Sequence, residues 1–433
     1  MNTTTNLQRR KLLKYAALGI AGAVTYPSWA QTGGFVSVNR PSDGFSADVE
    51  IELTMNTAEI AILTGQKTRV WKVTGKVNKG SPGVLDNNEG TYLAPTLRLK
   101  KGQKVRLILN NNLPAQSILH WHGMHVPSNM DGNPMYALDQ GETYIYEFEI
   151  LNRAGTYWYH AHTHSVTARQ VYSGLAGLFI VSDDQEQALN LPEGDYDVPL
   201  VIQDRSFDSQ NQLVYSAHMM QRMQGFLGEQ IMVNGRPDKV LPVATRAYRF
   251  RLLNGSNSRI YKLAWNDGTP ITVIGVDGGL LGSPEQHQYV MLSPGERLEL
   301  WMDFSERTLG TELTLRSLQF DAASHRGGMG MMGGRGGMMG GGMMGGMMSV
   351  SALPSGSDYP VLKIRVDRKE ENKHSLPKSL TPITALQIKN AANATQPKTI
   401  ALSMQHMSAL LNGRSYKMND IQRMKSFRLT ACN

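Results

Sequence analysis

The chain of 433 residues has a single cysteine, Cys432, which excludes a disulfide framework. It has no acidic residue before Asp43, and Arg9, Arg10, Lys11 and Lys14 contribute four of its net +8 charge. Beyond residue 30 the balance is +4, an ordinary surface that gives no sign of a nucleic-acid partner. The N-terminal apolar run covers only residues 15–24, too short for a stable membrane span. From about Asp48 to Ser182 there is no sustained 3.6-residue hydrophobic period, which excludes a helical core there.

The N-terminus reads as an address. Arg9-Arg10-Lys11-Leu12-Leu13-Lys14 is a twin-arginine n-region, residues 15–24 are a short h-region, and Ser28-Trp29-Ala30 is a small-X-small cleavage site. A signal peptide over residues 1–30 predicts the twin-arginine export machinery as a partner and a periplasmic mature chain. The alternative is an uncleaved anchor.

Short apolar alternations broken by Gly, Pro and Asn predict an all-β chain, sandwich or barrel. Residues 96–105 give a strand, a turn and a strand; residues 144–150 and 174–181 add two more. A second β unit begins near Val198, with strands at residues 248–254, 271–276 and 297–304. Val233-Asn234-Gly235-Arg236 is echoed by Leu411-Asn412-Gly413-Arg414, suggesting the opening of a repeated β unit. Residues 326–348 are almost pure Gly and Met, with nine methionines. Glycine prevents a packed element there, and soft thioether sulfur prefers Cu(I), although an incidental low-complexity linker is the plainer alternative. Residues 370–398, polar with Pro377, Pro382 and Pro397, read as an interdomain linker.

The chemistry concentrates in two His-X-His pairs, His120-Trp121-His122 and His160-Ala161-His162. Side chains alternate across a strand, so each pair puts two imidazoles on one face. If the two strands are neighbours, four neutral imidazoles converge on a metal-sized space. Imidazole suits copper, zinc, iron or nickel, so ligand type alone leaves the metal open. Asp131-Gly132-Asn133-Pro134 between the pairs is strong turn chemistry.

His120-Trp121-His122-Gly123, Asp131-Gly132, residues 155–162 and Gly174-Leu175-Ala176-Gly177 together resemble the N-terminal half of a multicopper oxidase. The resemblance is to the bacterial three-domain type, the periplasmic copper-efflux (cuprous) oxidases and laccases. It implies cupredoxin-like Greek-key β-sandwich domains in series: domain 1 over residues 45–185, domain 2 over 190–368 with the Met/Gly segment, a linker over 369–400 and the opening of a third domain over 401–433. It also implies copper as cofactor, with His120 as a type 2 ligand and His122, His160 and His162 as type 3 ligands, and Asp131 as a proton-delivering acid. His125 and His164 fall outside the pattern and are expected in supporting or surface roles. The implied activity couples oxidation of Cu(I) or a small phenol to reduction of O₂, in copper tolerance. After Leu411-Asn412-Gly413-Arg414 few residues remain, and no His-Cys-His accompanies Cys432. A truncated third domain, no type 1 site and an inactive chain are therefore expected. The alternatives are a non-catalytic periplasmic copper-binding protein and a copper-free structural relative of the kind used in cell division; retention of all four histidines argues against the last.

Overall fold

A computed structural model describes residues 40–215, 225–322, 353–383, 389, 391, 393–397, 399–405 and 408–415. The signal segment, the Met/Gly segment and Cys432 lie outside the described residues.

Nine strands build the first half: β1 (Val49–Ile60), β2 (Thr68–Lys79), β3 (Leu85–Asp86), β4 (Thr96–Lys100), β5 (Lys104–Asn111), β6 (Leu119–His122), β7 (Thr143–Glu149), β8 (Gly155–Ala161) and β9 (Ala176–Ser182). Alternation decides their faces. Val49, Ile51, Leu53 and Met55 of β1 and Val105, Leu107 and Leu109 of β5 are buried in one core, while Glu50, Glu52 and Arg106 between them turn outward. The sheets run β2-β1-β5-β7 and β3-β4-β9-β8-β6. The pairs β1/β5 and β4/β9 are parallel, the other neighbours antiparallel, as in a cupredoxin-like sandwich whose chain crosses between sheets. A short helix, α1 (Thr167–Ser173), joins β8 to β9.

The second half repeats this frame around its own core. Asp197–Arg205 runs parallel to Ala247–Asn254, and Val240–Ala244 parallel to Tyr359–Arg368. The segment read as a linker begins against this sandwich: Leu380 is buried there, its N–H donating to the Gly282 carbonyl (2.9 Å), and Tyr196 Oη donates to Glu370 (2.6 Å).

The sequence echo is a repeated turn. Asn234-Gly235 and Asn412-Gly413 both have two successive positive φ angles (49° and 72°; 51° and 74°), the type I′ geometry that Asn-Gly favours. In each, the Asn side-chain oxygen accepts a backbone N–H from the preceding part of the unit, Val201 at 2.8 Å and Ala401 at 2.7 Å. The second copy follows a hairpin of Leu402–Gln405 with Ser408–Leu411, on which Leu402 and Met404 are exposed, and turns the chain back so that Leu411 bridges Arg414.

The outer face of β8 is covered by the second sandwich. Trp158 and Leu178 join Val201, Met232 and Leu253 in an apolar cluster. Beside it, Thr156 Oγ1 donates to the fully buried Glu299 carboxylate (2.7 Å), which also accepts from Arg251 (3.0 Å) and Arg249 (2.9 Å). Backbones come so close that a Cβ on Gly155 would lie 2.7 Å from the Gly279 Cα, so only glycine fits at the start of β8.

Candidate metal centre

Register brings the histidines together. Antiparallel β6 and β8 set Leu119 opposite Ala161, His120 opposite His160, Trp121 opposite Tyr159 and His122 opposite Trp158. The odd-numbered residues face inward: Trp121 is fully buried against Tyr146 (4.9 Å between rings) and Tyr159 (5.4 Å). Alternation then forces the even-numbered residues, the histidines and Trp158, onto the outer face. His162, one residue past β8, stays in line because its N–H donates to the Ile118 carbonyl (2.9 Å).

The rings of His120, His122 and His160 lie 5.4–5.8 Å apart, and one nitrogen of each falls within 4.8 Å of the others. His122 Nδ1 is 3.3 Å from His160 Nε2. The His162 ring stands 5.1 Å from that of His120 and 5.9 Å from that of His160, outside this tightest group, with its Nδ1 buried and without a hydrogen-bond partner.

The remaining bonds orient each donor. His160 Nδ1 lies 2.8 Å from the Ala161 carbonyl and His120 Nδ1 lies 2.7 Å from the Asp131 carbonyl, so an N–H at either position donates and leaves Nε2 as a lone-pair donor. Burial holds His160 at about 3, and burial with the nearby Arg297 cation holds His122 at about 4, so both are neutral near pH 7. His162 is also lowered, by burial first. His120 is the exception: burial works against its charged form, but the Asp131 carboxylate, 3.1 Å from Nδ1, outweighs it and raises the ring. Imidazoles gathered on one face, three of them held toward the neutral form and one with an orphaned buried nitrogen, fit a transition metal of the copper or zinc type.

A cleft of about 380 Å³ opens onto this group, lined by His120, Asp131, Asn133, His162, His164 and Thr167 among others. His164 therefore sits at its mouth. His125 is exposed, its N–H donating to Asn152 (2.8 Å), and lines no part of the cleft. Asp131 closes a one-turn 3-10 helix, Ser128–Met130, and the positive φ of Gly132 (69°) lets the backbone pass so close to Leu119 that a Cβ would overlap its carbonyl. That contact presses the Asp131 turn against β6.

Three residues escaped sequence reading. Trp158 stacks on His122 (4.9 Å) and packs at a tilt against His160 (4.3 Å); its position two before His160 was the available signal. Gly295 and Arg297 come from the second sandwich: a Cβ on Gly295 would lie 3.4 Å from the Trp158 ring and 4.0 Å from His122. Arg297 Nη1 donates to the Gly295 carbonyl (3.0 Å) and Nε to the Thr156 carbonyl (2.9 Å). Nothing local in their sequence announces the contact.

The part of the chain that carries these histidines is similar to known proteins. Residues 59–186 match the model of the family described as multicopper oxidase. Among solved structures, the McoA multicopper oxidase of the hyperthermophile Aquifex aeolicus is similar at 32% identity and a TM-score of 0.68, covering 86% of this chain and 72% of that one. The chain belongs to the multicopper oxidase family. It is also similar to the multicopper oxidase mco of Staphylococcus haemolyticus, 36% identical over 240 residues, which are 54% of this chain and 53% of that protein. The cell division protein FtsP of Escherichia coli is 34% identical over 255 residues, 58% of this chain and 50% of FtsP. This member of the multicopper oxidase family thus spans about half the length of the curated relatives it matches. Among the described residues, no helix is long and apolar enough to cross a membrane.

Proposed function

We propose that this chain supplies His120, His122, His160 and His162 to a copper centre that couples oxidation of a donor to reduction of O₂ in the periplasm, within a longer set of cupredoxin-like domains. The observation carrying this reading is the three-histidine group with nitrogens within 4.8 Å, backed by the His162 ring. His120 would act as the type 2 ligand and the other three as type 3 ligands. The chemistry copper supplies when bound at such a site is one-electron transfer and the reduction of oxygen. The protein's part is to hold the imidazoles together on the outer face of β6 and β8, to exclude bulk water on the side covered by Trp158 and Gly295, and to pass protons. Asp131 suits proton delivery, because its side chain is 41% exposed at the cleft, where the carboxylate can take a proton from water, while its buried Oδ1 lies 3.1 Å from His120 Nδ1.

The methionines of residues 326–348 support Cu(I) rather than a bulky phenol as donor, through thioether affinity for that ion. Copper tolerance and twin-arginine export by residues 1–30 belong to the same reading. A second reading, copper held without turnover, is kept because one similar protein is named for a role in cell division and not for an oxidase activity.

The test is a copper titration followed by thermal unfolding. Copper should raise the midpoint of the native chain, because a ligand bound only by the folded state stabilises it by mass action. His122→Ala with His160→Ala should abolish that rise. An equal rise in the double variant would reject the site. Oxygen uptake with Cu(I) by the copper-loaded protein would favour turnover; copper binding without uptake would favour the second reading.

A further inference from the structure

A second cleft, of about 640 Å³, lies between the β1–β2 hairpin, α1 and the segment around Tyr215. It shares no lining residue with the histidine cleft, although α1 contributes to both, Thr167 to one and Arg169 and Tyr172 to the other. Its size falls in the range of about 300–1,000 Å³ typical of small-molecule sites.

The lining has a definite chemistry. Arg69 and Trp71 are two apart on β2 and so share a face, with Glu59 the cross-strand partner of Arg69. Arg169 of α1 supplies a second guanidinium, and the Tyr172 and Tyr215 rings lie 4.9 Å apart. Arg69 Nε reaches only a side-chain amide, Gln212 at 3.4 Å, and among the described residues neither arginine is in an ion pair. Two uncommitted guanidiniums against one carboxylate leave the cleft with a net positive charge. Guanidinium is the side chain best shaped to hold a carboxylate through two parallel hydrogen bonds, and aromatic walls accept a planar ring.

We propose that this cleft binds a planar aromatic carboxylate, held by Arg69 and Arg169 with its ring against Trp71 and Tyr215. The site is independent of the copper reading. The test is calorimetric titration of the full chain with 2-naphthoate, with 2-naphthamide, which lacks the charge, and with cyclohexanecarboxylate, which lacks the flat ring. Naphthoate should bind about tenfold or more tightly than either. Arg69→Gln combined with Arg169→Gln should weaken naphthoate by a similar factor; both side chains are exposed, so the unfolding midpoint should not move. His122→Ala with His160→Ala should leave naphthoate binding unchanged. Equal binding of the amide, unaltered binding by the arginine double variant, or loss of binding in the histidine double variant would each overturn the proposal.

Discussion

The two sandwiches share one frame and put different chemistry on it. In the first, β6 and β8 pair antiparallel beside β9; in the second, Tyr261–Trp265 and Glu312–Ser317 pair antiparallel beside Tyr359–Arg368. Inward residues are equivalent: Trp121 and Tyr159 fill one core, Leu263, Trp265 and Leu315 the other. The outward residues differ. Where the first sandwich has His120 opposite His160, the second has Ala264 opposite Arg316, and Arg316 pairs with Asp358. A guanidinium, always protonated, has no lone pair for a metal. The fold therefore provides a face and a register, and four imidazoles make one of the two faces a candidate metal centre.

The sharpest way to break the comparison is at the seam, where the second sandwich uses its own i, i+2 pair, Arg249 and Arg251, to dock on β8 through Glu299 and Thr156. Replacing Glu299 by Ala removes the fully buried carboxylate that both cations share, leaving Arg249 with Glu186 and Arg251 with Asp197 and Glu186, and should cost about 1.5–3 kcal/mol. Denaturant unfolding checks this; a loss below about 1 kcal/mol would mean the seam does not depend on that carboxylate.

Acid should attack the same place. Burial pushes the Glu299 and Asp197 carboxyls up, but the Arg249 and Arg251 cations outweigh it and hold both below their ordinary values of 4.5 and 3.8. A lowered folded value means that this stabilisation is fully present above the ordinary value and is lost as pH falls through the folded one. Stability should thus be flat in this contribution above about pH 5 and fall below about pH 4. Glu299→Gln should flatten part of that fall, as measured by unfolding free energy against pH; an identical slope would remove Glu299 from the account.

The smallest effect is expected on the outward face of the second sandwich. Arg316→Ala breaks a half-exposed ion pair and should cost about 0–1 kcal/mol, without altering copper uptake. A larger cost, or a change in copper stoichiometry, would mean that the two outward faces are less different than their residues imply.

Much of this was legible in the residues. The strands at 96–105, 144–150 and 271–276 are found at Thr96–Lys100 with Lys104–Asn111, Thr143–Glu149 and Ile271–Val276, because period-two alternation follows from the chain's own geometry. The sequence could not say that the first two of these strands enter different sheets. Nor could it show that Leu376 and Leu380, in a segment that looks polar and proline-rich, sit among Leu191, Ala247 and Trp301. Two leucines carry little pattern; the groove that receives them comes from strands more than 70 residues earlier.

By itself, the amino-acid order determined that each His-X-His puts two imidazoles on one face and that this face lies opposite Trp121 and Tyr159, since alternation along a strand is local. Only the tertiary structure decided that the two faces are the same face. That depends on the β6–β8 register, set by Trp121 and Tyr159 meeting in the core and by the Asp131 turn pressed on β6. It also decided what surrounds the metal candidates. Gly295 and Arg297 reach His122 from a separate sandwich, and a contact across more than 170 positions is fixed by how two cores dock.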